Sequence, residues 1–201
     1  MLAHAHKDAY AVTTALRMNK LLRLLDDKAF QELMPQLEIV DLNKGQALEH
    51  QGDEAMEQYF IVSGILKRVV NNAEGKEMIL RFATEGDIDT SYAAYRLGTP
   101  IPFSIVSVKQ AQVAKISMEA WVAFIDKHAK LKQAFELHVM RIMSDVMAHV
   151  ITLHLLDSPG RVTRFMRKTG NLINRIPKRE LASHLNITPE TLSRLKQRGV
   201  L

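Results

Sequence analysis

Apolar residues follow three successive rhythms along this chain. Between about residues 12 and 37, Leu21, Leu22, Leu25, Phe30, Leu33, Met34 and Leu37 recur three and four residues apart. That spacing predicts a helical stretch, with Pro35 near its end. From about 38 to 117, short runs rich in Val, Ile, Phe and Tyr are punctuated by Gly45, Gly52, Gly64, Gly75, Gly86 and Gly98. The glycines lie 7 to 12 residues apart, which predicts an antiparallel sandwich or barrel. The Glu74-Gly75-Lys76 segment has the small polar make-up of a hairpin turn. From about 117 to 157 the helical rhythm returns, with one helix from Met118 to about His128 and a longer one from about Leu131 to Leu156.

The long helix carries two apolar stripes. Phe135, Val139, Ile142, Val146, His149, Leu153 and Leu156 form a heptad seam, and Met140, Met143, Met147 and Val150 form a stripe beside it. Two stripes need cover on two sides. One is expected to pack on the barrel of its own chain, and the heptad seam is expected to form a homodimer interface. Asp157, Ser158, Pro159 and Gly160 interrupt the pattern and mark a hinge. Residues 161–169 are helical again, Gly170 and Asn171 end that helix, and Pro177 opens the next.

Glu180 to Lys196 reads ELASHLNITPETLSRLK. Leu181, Ala182 and Leu185 give a short helix an apolar face, and Asn186-Ile187 supply the turn. Thr188 is a capping residue, Pro189 takes the first helical position and Glu190 places an acid in the first turn. Leu192 and Leu195 face inward, which leaves Glu190, Thr191, Ser193, Arg194 and Gln197 outward. Two short helices around a tight turn make a helix-turn-helix. An arginine there can fork onto guanine O6 and N7, and a glutamate can accept from cytosine N4. Lys178, Arg179, Lys196 and Arg198 are placed to hold phosphates.

Charge sharpens this picture. The net charge is +5, but residues 159–201 alone hold ten Lys or Arg against Glu180 and Glu190, a balance of +8, while residues 1–158 carry −3. A basic terminal block on a slightly acidic body points to nucleic acid or another anionic surface. There is no cysteine, which excludes disulfides, thiolate zinc sites, cysteine-held iron–sulfur clusters and a cysteine nucleophile. The eight histidines show no metal-ligand spacing. No apolar run is long enough for a membrane span, and the N-terminus lacks the apolar stretch of a signal peptide. A cytoplasmic location is expected. No nucleophile elbow, phosphate loop or carboxylate cluster marks an enzyme.

The residues from about 20 to 199 resemble the catabolite activator/FNR (Crp-Fnr) family of bacterial transcription regulators. GDEAMEQYFIVSGILK (Gly52–Lys67) and GKEMILRFATEGD (Gly75–Asp87) are similar to the family's cyclic-nucleotide-binding β-roll, with Gly52, Gly64 and Gly86 at its structural glycines. PETLSR (Pro189–Arg194) resembles the family's R-E-T-x-x-R reading helix. Glu190 and Arg194 take its base-reading positions, and Pro189 replaces the first arginine.

The resemblance implies an α+β protein: an N-terminal double-stranded β-helix, a long dimerisation helix and a small C-terminal helix-turn-helix domain. The expected boundaries are 1–130, 131–157 and 158–201. It implies DNA-contacting roles for Lys178, Arg179, Thr188, Glu190, Thr191, Ser193, Arg194, Lys196 and Arg198. The implied partners are double-stranded DNA, a second copy of the chain, RNA polymerase and an unidentified small-molecule effector, with no membrane.

The sequence also departs from the family. A cyclic nucleotide needs a Gly-Glu pair on its ribose and an Arg-Ser pair on its phosphate, because a buried phosphodiester needs a guanidinium fork. Asp89-Thr90 stands at the first pair and Ile101-Pro102 at the second, with Ser91 and Arg96 nearby in another register. The effector pocket is therefore expected to be degenerate, with no cAMP or cGMP bound in the usual way and no cofactor. The final Gly199-Val200-Leu201 leaves the wing that usually follows the reading helix reduced or missing, so weaker and strongly salt-dependent DNA binding is expected. The competing reading is a ligand-binding or protein-interaction module whose helix-turn-helix has decayed.

Overall fold

The computed structural model describes the backbone of residues 2–75 and 77–199. Lys76 of the expected hairpin turn, and Val200 and Leu201, lie outside the described residues. The architecture is α+β. Helix α1 (Leu2–Arg17) leads to α2 (Asp27–Leu33), with 3-10 turns at Leu22–Leu24 and Met34–Gln36. The single helical stretch expected over 12–37 is therefore broken. Asn19 Oδ1 accepts from the Leu21 N–H at 3.0 Å, and Asp26 caps α2 by accepting from the Ala29 N–H at 2.8 Å. Short polar side chains that bond nearby backbone end one helix and start another. The apolar rhythm survives the break because Leu16, Leu22, Phe30 and Leu33 all enter one core.

Eight strands follow: β1 (Glu38–Leu42), β2 (Ala47–Glu49), β3 (Glu57–Ser63), β4 (Ile65–Asn71), β5 (Glu77–Thr84), β6 (Ile88–Thr90), β7 (Ser104–Ser107) and β8 (Ala111–Ser117). A short helix, α3 (Tyr92–Leu97), connects β6 to β7. The strands form two four-stranded sheets of order β1-β8-β3-β6 and β2-β7-β4-β5, all pairs antiparallel. Strand β3 shows why the roll is stable. Tyr59 and Ile61 point into the core between the sheets, while Phe60 and Val62 point to the helices outside. Alternate side chains leave opposite faces of a strand, so β3 is buried on both. Gly64 makes the β3–β4 turn at φ +91°, where a Cβ would stand 2.6 Å from the Ala111 Cβ. Only glycine fits that approach.

Two more helices cover the first sheet, α4 (Met118–Asp126) and α5 (Ala129–Leu155). Trp121 is fully buried and meets Phe60 and Phe135 edge-on, at 5.2 and 5.4 Å between ring centroids. This contact decides which stripe of α5 faces inward. Phe135, Val139, Ile142 and Leu153 of the expected dimer seam are buried within their own chain, and His149 packs on another helix. Val146 lines a cavity, and only Leu156 of the set is exposed. The free face is instead Leu137, Met140, Met143, Met147, Ile151 and Leu155. Both stripes have helical spacing, and the roll took the one carrying the aromatic ring.

Helix α5 ends at Leu155, Leu156 after it is extended, and Asp157 caps α6 (Ser158–Thr169) by accepting from the Gly160 N–H at 2.9 Å. The expected hinge thus shrinks to Leu156–Asp157. Ser158, Pro159 and Gly160 form the first turn of α6, where proline loses no hydrogen bond. A 3-10 turn (Gly170–Asn174), α7 (Lys178–His184) and α8 (Pro189–Gln197) complete the chain. Val162, Phe165, Ile176, Leu181, Ala182, Leu185, Leu192 and Leu195 share one buried cluster with Ile65 and Val108 of the roll. The C-terminal helices are docked on the β4–β5 sheet. Among the described residues no helix is long and apolar enough to cross a membrane.

Candidate nucleic-acid interface and effector pocket

Helices α7 and α8 meet at Ala182, which is buried and small enough to let the backbones approach. Asn186 turns the chain at φ 50°, and the Ile187 N–H donates to the Ala182 carbonyl at 3.0 Å. Asparagine tolerates the left-handed region better than most residues. Thr188 then caps α8, its hydroxyl accepting from the Thr191 N–H at 3.2 Å. Leu192 and Leu195 are buried, so Glu190 and Arg194 are exposed on the opposite face. Arg194 Nη2 donates to Thr191 Oγ1 at 3.1 Å. The Glu190 carboxyl is held below its ordinary range, first by a backbone N–H at the helix start and then by the Thr188 hydroxyl. It is an acceptor at neutral pH.

Lys178, Arg179, Lys196 and Arg198 are all exposed around this face. Ser193 differs from the sequence reading. It is half-buried, and its hydroxyl donates to the Pro189 carbonyl at 2.9 Å, back along its own helix.

The unit is fastened to the roll by polar contacts that the sequence did not disclose. Lys67 Nζ lies 2.9 Å from Glu77 and 2.7 Å from Glu180. Arg175 forks onto Glu85 at 2.6 and 2.9 Å. His184 Nδ1 stands 2.9 Å from the Ile79 carbonyl. A carbonyl only accepts, so Nδ1 carries the proton. The His184 ring stacks on His149 of α5, with centroids 3.8 Å apart and planes 4° from parallel. Burial, and then His149, push His184 down to about 3. Burial also pushes His149 down to about 4. Both rings are neutral near pH 7, as so close a stack requires.

A second site lies between the roll and α5. It is a cavity of about 380 Å³ with Arg68, Thr90, Ser91 and Pro102 among its lining, together with Phe103, Ile142 and Met143. Among the expected pocket residues, Thr90, Ser91 and Pro102 reach it. Asp89 sits behind, fully buried in an ion pair with Arg68. Arg81 Nη1 approaches the other carboxylate oxygen of Asp89 at 3.8 Å. Burial alone would raise this carboxyl, but Arg68 and then Arg81 reverse the effect and hold it below its ordinary range.

Ile101 and Arg96 are corrections. Ile101 is buried in the roll, its backbone paired with Gly52 and Asp53. Arg96 is exposed and donates to the Tyr92 hydroxyl at 2.7 Å, away from the cavity. The sequence reading missed Arg68, whose signal was a charge inside the apolar run Ile65–Val70. Its guanidinium also lies 3.8 Å over the Phe103 ring and donates to the Thr90 carbonyl at 3.0 Å. Its Nε has no partner among the described residues. Next to this floor, Glu49 shares a hydrogen bond with Ser91, and burial pushes its carboxyl up to about 7. No group of three or more metal-ligating side chains occurs among the described residues.

Residues 39–128 match the family model described as "Cyclic nucleotide-binding domain". Across 117 residues the chain is 26% identical to the cAMP-activated global transcriptional regulator CRP of Escherichia coli, covering 58% of this chain and 56% of the relative. It is 27% identical over 169 residues to the fumarate and nitrate reduction regulatory protein of Vibrio cholerae, covering 77% and 65%. The chain carries a cyclic nucleotide-binding domain and is homologous to the Crp/Fnr regulators. Its match spans little more than half the length of the Escherichia coli relative. The solved structure of FixK2 from Bradyrhizobium japonicum superposes on this Crp/Fnr homologue with a TM-score of 0.69 at 15% identity, covering 81% of this chain and 86% of that one. The roll and the C-terminal helices are therefore a shared fold, and both relatives named by sequence are regulators, not enzymes.

Proposed function

We propose that this Crp/Fnr homologue is a DNA-binding transcription regulator that reads a near-palindromic site as a homodimer and does not respond to cAMP. The observation that carries this reading is the exposed polar face of α8, with Glu190 and Arg194 outward on a helix fixed by a capped, tight turn. With α8 in the major groove, Arg194 forks onto guanine and Glu190 accepts from cytosine N4. Lys178, Arg179, Lys196 and Arg198 hold phosphates, Thr188 and Thr191 lie at the start of α8, and Ser193 lies mid-helix. The exposed methionine stripe of α5 is the surface for a second copy. Two-fold symmetry then sets two α8 helices about 34 Å apart, one helical turn of DNA. RNA polymerase and a cytoplasmic setting belong to the same reading.

The effector follows from Arg68. A cyclic phosphodiester needs an uncompensated guanidinium, and this one is neutralised by Asp89 and laid on Phe103. The mostly apolar cavity suits an uncharged effector. Isothermal titration is expected to show no micromolar cAMP binding, and such binding would defeat this part. Recovery of bound genomic fragments, followed by mobility shifts at two salt concentrations, tests the rest. Enriched two-fold motifs are the expected result. Equal retention of unrelated fragments would leave a module that does not read sequence.

A further inference from the structure

A second cavity, of about 660 Å³, lies where the roll, α5 and α6 converge. Its charged walls come from separate parts of the chain: Lys20 and Arg81 from the roll side, Arg141 from α5, and Arg161, Arg164 and Lys168 from α6. Two acids, Asp87 and Asp145, also line it. Asp87 is engaged by Lys20, and Asp145 by Lys168 at 2.7 Å. Arg161 spends its donors on the carbonyls of Leu156, Leu185 and Asn186, so its positive charge stays uncancelled. Arg141 and Arg164 are exposed and have no ion pair among the described residues. No residue of α8 lines this cleft, so it is separate from the face that would read bases.

We propose that this cleft binds a small polyanion with two or more adjacent phosphate or carboxylate groups, which bridges the C-terminal helices to the roll and α5. Six cations held against two acids repel one another, and a concave wall focuses their field. An anion removes that repulsion and gives the guanidinium forks planar oxygen partners. The imidazoles report the same field. Burial depresses His138, Arg81, Lys20 and Arg141 depress it further, and Asp87 opposes them in part. Lys168 and Arg164 act likewise on His149, whose buried Nε2 has no partner among the described residues. The ligand would also draw on Arg81, which already leans on Asp89 behind the first cavity. One carboxylate thus lies between the two sites.

Calorimetry on the full chain with inorganic pyrophosphate and, separately, citrate tests the proposal, with acetate as a monovalent control. At least one polyanion is expected to bind about ten-fold or more tightly than acetate, and the stronger arm identifies phosphate or carboxylate. Arg141→Gln and Arg164→Gln, both at exposed positions, should each weaken that binding about ten-fold without lowering the melting temperature of the free protein, since each also removes one of the repelling charges. Ring-proton NMR should show His138 and His149 titrating at higher pH when the anion is bound. Failure of both polyanions to exceed acetate would overturn the proposal, as would binding indifferent to both arginine variants. Such a failure leaves the DNA reading intact, because anion binding here does not require DNA.

Discussion

Among the described residues Arg194 makes one side-chain hydrogen bond, to Thr191, so its guanidinium is free to turn toward a base. Arg194→Ala should therefore relax preference at one base pair per half-site and cost about 1–3 kcal/mol of specific binding. Binding-site selection with the variant checks this, and an unchanged preferred sequence would reassign the reading position. His184 is the other residue with a sharp expectation. Its pKa and that of His149 are depressed, so the unfolded chain takes up protons before the native one as pH falls below about 6.5. Their contribution is full above that value and is lost as pH falls toward the native values. Glu49 runs oppositely, because its raised pKa makes its contribution fade as pH rises through about 7. Comparing wild type with His184→Gln cancels Glu49. The variant's stability should fall less steeply between roughly pH 6.5 and 5, by about 1.4 kcal/mol per unit, one proton's worth. Urea midpoints across that range measure it, and parallel curves would refute the role given to this ring.

Helix α5 has two apolar faces. Its inner stripe, with Phe135 against Trp121, is spent on the roll, and its outer stripe of methionines is bare. A contiguous apolar face of this kind marks an interaction surface. Met143→Glu combined with Met147→Glu should convert the proposed homodimer to monomers without altering the far-ultraviolet dichroism. Sedimentation equilibrium decides it, and an unchanged dimer would place the interface elsewhere. The heptad rhythm was legible in the sequence, but both stripes fit a helix equally well. Which one turned inward depended on the aromatic pocket offered by β3 and α4, and no local pattern encodes that pocket.

At the scale of the whole molecule, the C-terminal helices are docked by an apolar cluster and a set of polar clasps. Lys67 is almost buried between Glu77 and Glu180, whereas Arg175 and Glu85 are about half exposed. Exposed pairs contribute little, whereas removing one partner of a buried pair costs more because it strips a buried charge of a counter-ion. Glu180→Gln should loosen the docking by about 1 kcal/mol and speed amide exchange in α7 and α8 roughly five-fold, with the roll unchanged. Uniform exchange rates across both would show that the clasp does not hold the unit. The connection between α5 and α6 is only two extended residues, Leu156 and Asp157, because Asp157 caps the next helix at once.

The sequence by itself determined the roll, the long helix and the helix-turn-helix. Glycine spacing, a 3.6-residue rhythm and a capped turn are local signals, and their physics is settled within a few residues. It also marked Asp89 and Pro102 as departures from the residues expected to hold a nucleotide. Only the tertiary structure decided what surrounds them. Arg68 arrives from β4 to neutralise Asp89 on β6, and Ile101 turns into the core. The stacked histidines come from helices 35 positions apart in the chain, and the cationic cleft draws on the roll, α5 and α6. Pairings between distant segments depend on how whole elements pack. Packing is set by the shape and volume of the complete core, which no short window of residues contains.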